Sequence, residues 1–257
     1  MKHQLQSTRL WRQLLMALGF GAFTLAAFAA LTRQSSRVTD VVVEIQPTSE
    51  GLFLIQGSDV TQRLDGGPQG ALIGQAINQL AFAPLEQVLE QDPYVQNADL
   101  YTGFDGKLHV TITQTEPILR VYHRGGQDYY IGPTGEVLPL SKRDVARVPV
   151  LTGTVPSFKE AVADSFAIAA YPLAKALHQD ELLSALIEQI VVRKGEYTLT
   201  PKLGTASIRL GELTNLDNKL DRLHTFLHGV TPELGWDAYR SVDLRYDGQI
   251  VCQKPGA

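Results

Sequence analysis

An uncharged apolar run near the N-terminus constrains this chain more than any other feature. Leu14 to Leu31 reads LLMALGFGAFTLAAFAAL. As a helix rising ~1.5 Å per residue it spans roughly 27 Å, close to the ~30 Å hydrocarbon core of a bilayer. A helix packed on a soluble core keeps one polar face, whereas here only Thr24 and two glycines interrupt the run. Trp11 stands at its entry, where an interfacial aromatic is favoured. The run predicts a transmembrane helix over 14–31 behind a cytoplasmic tail over 1–13. The rival is a cleaved signal peptide, with Lys2, Arg9 and Arg12 as its charged start and Ala27-Phe28-Ala29 as its small-residue triplet. The apolar run continues through that triplet, which favours an uncleaved anchor. Either way, the rest of the chain is expected to be exported.

Charge follows the same division. Residues 1–37 hold five basic residues and no acid, so against an overall −4 the remaining 220 residues carry −9. Three basic residues precede the run and two follow it, which places the N-terminus in the cytoplasm by the positive-inside rule. An acidic body argues against a general nucleic-acid binder. The single Cys252 excludes an internal disulfide or a cysteine-cluster metal site. With 44% apolar and 19% charged residues, the body is globular rather than disordered.

Asp40 to Pro47 alternates as a strand, with Val41, Val43 and Ile45 on one face. Gly57-Ser58-Asp59 offers a helix N-cap before Val60 to Leu64, and Ala83 to Gln91 reads as a short helix with Pro84 in its first turn. Val95 to Tyr101 and Leu108 to Ile112 form a hairpin around Asp105-Gly106. This is an α+β unit with two helices on one face of a three-stranded sheet. Beyond it strands dominate, at Ile118 to Tyr122, Tyr129 to Ile131 and Val137-Leu138, with an extended stretch over Arg147 to Leu151. Ser157 caps a helix expected to run to Tyr171, where Pro172 kinks or ends it. A second helix carries Leu182, Leu183 and Leu186, before a meander over Ile187–Arg193, Glu196–Thr200 and Ala206–Leu210. Leu216, Leu220, Leu223 and Leu227 stripe a helix over Asn215 to His228. Strands over Ser241–Tyr246 and Gln249–Gln253 close the chain around Asp247-Gly248.

Reactive chemistry finds little foothold. GxxxxGK[ST] is absent, and Gly66-Gly67-Pro68-Gln69-Gly70 lacks the cation that a phosphate cradle needs. His224 and His228 lie four apart on a helix, but Thr225 stands where HExxH requires Glu. They are expected to be solvated residues beside the leucine stripe. GxSxG is missing, and Cys252 reads as a small apolar thiol in a sheet. No enzyme activity, cofactor or metal is expected. The remaining mode of action is binding. A terminal strand is often a sheet edge able to accept a partner's strand, and Gln249-Ile250-Val251-Cys252-Gln253 contains neither proline nor charge.

Short stretches spread in order over some 220 residues point to a family. They are Asp92-Pro93-Tyr94-Val95 with Ala98, Gly106-Lys107-Leu108, Thr113-Gln114, Pro117-Ile118 with Arg120, Tyr129-Tyr130-Ile131, Gly135, Leu138-Pro139-Leu140-Ser141, Val148-Pro149-Val150 and Thr152-Gly153. The strongest lie at the end: Gly235-Trp236, Tyr239, Val242-Asp243-Leu244-Arg245-Tyr246 and Gln249-Ile250-Val251-Cys252 with Lys254. In these the chain resembles the bacterial cell-division family FtsQ (DivIB), in its Bacteroidetes-like form. It departs from the pattern at Thr115 and Gly132.

The resemblance implies a POTRA domain over 38–115 and a β domain over 116–257. It also implies a non-enzymatic scaffold in the cell inner membrane at the division septum, with both domains periplasmic. The implied partners are the division proteins FtsB and FtsL, in a heterotrimer that regulates septal peptidoglycan synthesis. The family's partner strand maps onto Leu244, Arg245, Tyr246, Gln249, Ile250, Val251 and Cys252, with Arg245 and Tyr246 as side-chain anchors. The alternative reading is a POTRA-type interaction module of an envelope assembly or secretion system. Such chains carry a barrel of ~10-residue alternating segments, a pattern not seen here.

Overall fold

The computed structural model describes residues 37–103, 105–164 and 169–256. The expected tail over 1–13 and span over 14–31 lie outside them. Among the described residues, no helix is long and apolar enough to cross a membrane.

Two sheets organise the described residues. The first unit runs β1 (Asp40–Gln46), α1 (Gly57–Asp65), a 3-10 turn (Ile77–Gln79), α2 (Phe82–Glu90), β2 (Val95–Thr102) and β3 (Lys107–Gln114). Its strand order is β1-β3-β2, with β1 parallel and β2 antiparallel to β3. Alternation along β3 turns Leu108, Val110 and Ile112 inward, where they are fully buried against Val60 and Leu64 of α1 and Leu85 and Leu89 of α2. The start of α1 differs from the expected cap. The helix begins at Gly57, and Asp59, within its first turn, accepts the Gln56 N–H. A carboxylate there meets the unpaired N–H groups of the helix end. Buried Gln114 ends β3 with its amide satisfied, accepting the Leu54 N–H (2.6 Å) and donating to the Gln46 (2.8 Å) and Leu52 (3.1 Å) carbonyls.

The second sheet has nine strands in the order β12-β11-β10-β9-β8-β7-β4-β5-β6. These are β4 (Leu119–Val121), β5 (Tyr129–Ile131), β6 (Val137–Pro139), β7 (Val150–Gly153), β8 (Ile187–Arg193), β9 (Glu196–Pro201), β10 (Ser207–Gly211), β11 (Ser241–Asp243) and β12 (Val251–Gln253). The meander β8-β9-β10 forms as expected. The helices are α3 (Phe158–Ala163), α4 (Tyr171–Gln179), α5 (Glu181–Leu186), α6 (Leu216–Gly229) and α7 (Thr231–Leu234). Leu173, Leu177, Leu183, Leu223 and Leu227 from these helices join Ile190, Leu199 and Leu210 of the sheet in one core.

Pro172 plays the opposite part to the one expected. Ser157 does cap α3, with reciprocal bonds between Ser157 and Glu160. The helix ends at Ala163, however, and Pro172 sits in the first turn of α4. A proline there loses no helical hydrogen bond, because the N–H it lacks would have been unpaired.

The units share a core. In β5, Tyr129 and Ile131 face the large core, while Tyr130 points the other way and packs in the first unit's core with Leu138 and Ala146. Polar contacts rim the junction. Tyr94 donates to the Pro139 carbonyl (2.5 Å), Ser141 to the Leu54 carbonyl (2.9 Å), and the Phe53 N–H to Asp144 (2.8 Å). Glu116 accepts both the N–H and the hydroxyl of Ser49. Burial, followed by the negative fields of Tyr130 and Asp92, pushes the Tyr94 hydroxyl pKa well above its ordinary value.

Candidate functional site

Two open sheets have four edges, and an edge exposes main-chain N–H and C=O groups to any passing strand. Three of these edges are guarded in part. On β1 the Asp40 carboxylate takes the Val41 N–H (2.9 Å). On β2 the Glu86 carboxylate, reaching from α2, takes the Leu100 N–H (3.1 Å). On β6 Pro139 has no N–H to offer, its carbonyl is held by Tyr94, and Leu138 lies wholly buried under the first unit. Among the described residues, no side chain caps the main chain of the fourth edge, β12.

The hydrogen-bond pattern shows what β12 presents. Ser207 N–H donates to the Arg240 carbonyl (3.1 Å), and Leu244 N–H to the Arg209 carbonyl (2.9 Å). Successive residues of a strand turn their main-chain groups to opposite sides. Even-numbered residues of β11 therefore face β10, and Ser241 and Asp243 face β12. The register pairs Ser241 with Gln253, Val242 with Cys252 and Asp243 with Val251. Val251 and Gln253 thus bond inward, as the Arg240 N–H to Gln253 carbonyl bond (2.7 Å) also shows. The N–H and carbonyl of Cys252 point out to the open edge. The Cys252 side chain packs on the large core, and burial pushes its thiol pKa up.

The closing strands are shorter than expected, Ser241–Asp243 and Val251–Gln253, and residues 244–250 form a loop. Arg222 of α6 lies against this loop. Its guanidinium donates to the carbonyls of Leu244 (2.9 Å), Tyr246 (2.6 Å) and Gln249 (2.7 Å), drawing three acceptors away from any ladder. Asp243 adds a local turn by accepting the Arg245 N–H (3.1 Å).

The seven residues singled out by sequence therefore lie together on one hairpin but present themselves differently. Leu244 is wholly buried with its N–H and carbonyl engaged, so it seats the hairpin. The Arg245 guanidinium is forked on Asp243 (3.0 and 2.7 Å), with Glu196 at 3.7 Å. That pairing holds the Asp243 carboxyl below the usual carboxylate range. The Arg245 stem lies over Gly211, where a Cβ would come within 2.8 Å of it. Tyr246 and Val251 are 49% and 40% exposed, and Ile250 and Cys252 are partly buried.

Residues 116–253, more than half of the chain, match a family model described as FtsQ/DivIB, C-terminal related. The chain belongs to the FtsQ/DivIB family. Residues 36–113 match a POTRA-like domain. No curated protein matches the chain. The FtsQ/DivIB match spans the whole nine-stranded sheet, including the hairpin and the open edge.

No pattern in the sequence marks Arg222. At ~100° per residue, Arg222 and Lys219 fall on one flank of the α6 leucine stripe and the two histidines on the other, so all four read as solvent-facing. Lys219 is instead buried, its ammonium on the Glu212 carbonyl (2.6 Å). His228 is exposed, as expected for a solvated residue, but His224 meets the Asp180 carboxylate and stacks on His228. Asp180 also caps α5 through the Leu183 N–H (2.8 Å), so this contact ties α6 to α5. Among the described residues, no group of three or more His, Cys, Asp or Glu could hold a metal ion.

Proposed function

We propose that this chain is a non-enzymatic scaffold of the division machinery that binds FtsB, together with FtsL, by adding a partner strand to β12. The observation that carries this is the uncapped β12 edge, with the Cys252 N–H and carbonyl turned outward while the other three edges are guarded in part. Family membership supplies the biological setting, and the uncharged run over 14–31 supplies the anchor. The scaffold sits in the inner membrane at the septum, with its N-terminus in the cytoplasm and both domains in the periplasm. Main-chain bonds to Cys252 give affinity, and the exposed Tyr246 and Val251 beside them give side-chain anchorage. Ile250 and Gln249 lead the partner onto the edge. Through this complex the scaffold regulates septal peptidoglycan synthesis, and the POTRA-like domain offers a second docking surface.

The register selects the decisive variant. Proline at Val251 would break the bond to Asp243 and damage the sheet itself. C252P removes an outward N–H, which an edge strand tolerates, together with the partly buried thiol. Full-length chain in detergent is titrated with the periplasmic segment of FtsB. Loss of binding by about tenfold or more, equivalent to ~1.4 kcal/mol, with an unchanged melting temperature, is expected. Wild-type affinity in folded C252P overturns strand addition.

A further inference from the structure

We infer that Arg222 is the positioning residue of the partner edge: on the strand-addition reading above, it holds the 244–250 loop in the shape that keeps β12 ready to accept a strand. The hairpin is seated by buried Leu244 and by the pairing of β11 with β10, while its loop is held to the helix by Arg222. Each arm is three residues long, and so short a hairpin is marginal without support. Its loop carries the Leu244, Tyr246 and Gln249 carbonyls, and all three converge on one guanidinium at 2.6–2.9 Å. Among the described residues, no carboxylate pairs with Arg222, so these carbonyls are the principal acceptors of its charge, with the Asn218 carbonyl at 3.4 Å behind them.

The contacts bridge both ends of the loop. Leu244 follows β11 directly, and Gln249 stands two residues before β12. Fixing both ends to α6 sets where β12 starts and which way Cys252 faces. Helix α6 is itself fixed, through Leu220, Leu223 and Leu227 in the core and through Lys219 on the Glu212 carbonyl. The planar guanidinium offers five donors in a fixed fork, a geometry suited to three separate carbonyls, whereas a lysine ammonium is a compact point charge.

Affinity scales with the fraction of molecules in the binding-competent shape, so a loop in that shape a tenth of the time binds about ten times more weakly. The test uses full-length chain with R222A and R222K. It reads amide hydrogen exchange over 244–253 and binding of the periplasmic segment of FtsB. In R222A, protection is expected to fall over 244–253 while β8 and β9 stay protected, and affinity to drop about tenfold or more. R222K should recover part of both, a rescue that general destabilisation would not produce. Unchanged exchange over 244–253 in R222A overturns the inference, as does wild-type affinity in a chain whose wild type binds. If the wild type itself does not bind the segment, strand addition fails, and the exchange measurement still decides on Arg222 without a partner. Should R222A fail to fold, R222Q, which keeps much of the stem and an amide donor, replaces it in both measurements.

Discussion

Strands β2 and β12 are both the outer strands of their sheets, yet they treat the solvent differently. β2 is eight residues long and polar on its outer face, and an acid from the neighbouring helix occupies one of its N–H groups. β12 is three residues long, bears no charge, and has no capping side chain among the described residues. A long strand left open would recruit any extended chain, so it requires a guard. A short strand held by a clamped loop is protected from indiscriminate pairing by its length. On the strand-addition proposal, the contrast is between an edge that accepts a partner and an edge that refuses one.

The largest effect should come from uncovering the guarded edge of the large sheet. Leu138→Ala in β6 removes a fully buried side chain from the shared core and is expected to cost about 2–5 kcal/mol in urea unfolding. A cost below ~1 kcal/mol would mean that the first unit does not cover that edge. A smaller change is expected when the open edge is closed. Val251→Lys places a charge of the kind that blunts natural edges and should weaken the FtsB segment about tenfold, or ~1.4 kcal/mol, in an equilibrium titration. Stability should hardly change, because Val251 is 40% exposed. Opening a guarded edge is subtler. Glu86→Ala frees the Leu100 N–H and should cost about 0.5–1.5 kcal/mol, with new self-association visible by sedimentation at high concentration. A strictly monomeric variant would show that length and polarity guard β2 without the acid.

The smallest effect concerns pH. Asp243 has a carboxyl pKa held below its unfolded value of ~3.9. Its contribution is therefore complete above that unfolded value and is lost as pH falls through the lower folded one. Hairpin amide protection should fall below about pH 4 while the POTRA-like unit keeps its own, and Asp243→Asn should remove that acid step. An acid step that persists in Asp243→Asn would assign it to other carboxylates.

Much of this fold is legible in the sequence because period is local. Leu108, Val110 and Ile112 alternate, and Leu216, Leu220, Leu223 and Leu227 recur at helical spacing, so each names its buried face without knowing its neighbour. Pro172 misleads for the same reason. Proline disrupts a helix interior and suits a helix start, and only the break after Ala163 decides which applies. Tyr130 is similar, since alternation along β5 shows that it opposes Tyr129, but not that a second core waits on that side.

The sequence by itself determined the three-stranded α+β unit, the strand-rich region that follows it and the hairpin that carries the candidate site. Only the tertiary structure decided that β12 lies at an edge, that Cys252 turns its main chain outward, and that Arg222 grips a loop 22–27 residues away. Side-chain periodicity is written in consecutive residues. Main-chain polarity is the same at every position, so which N–H stays unpaired depends on which strand lies beside it, and that is settled only when the sheet assembles.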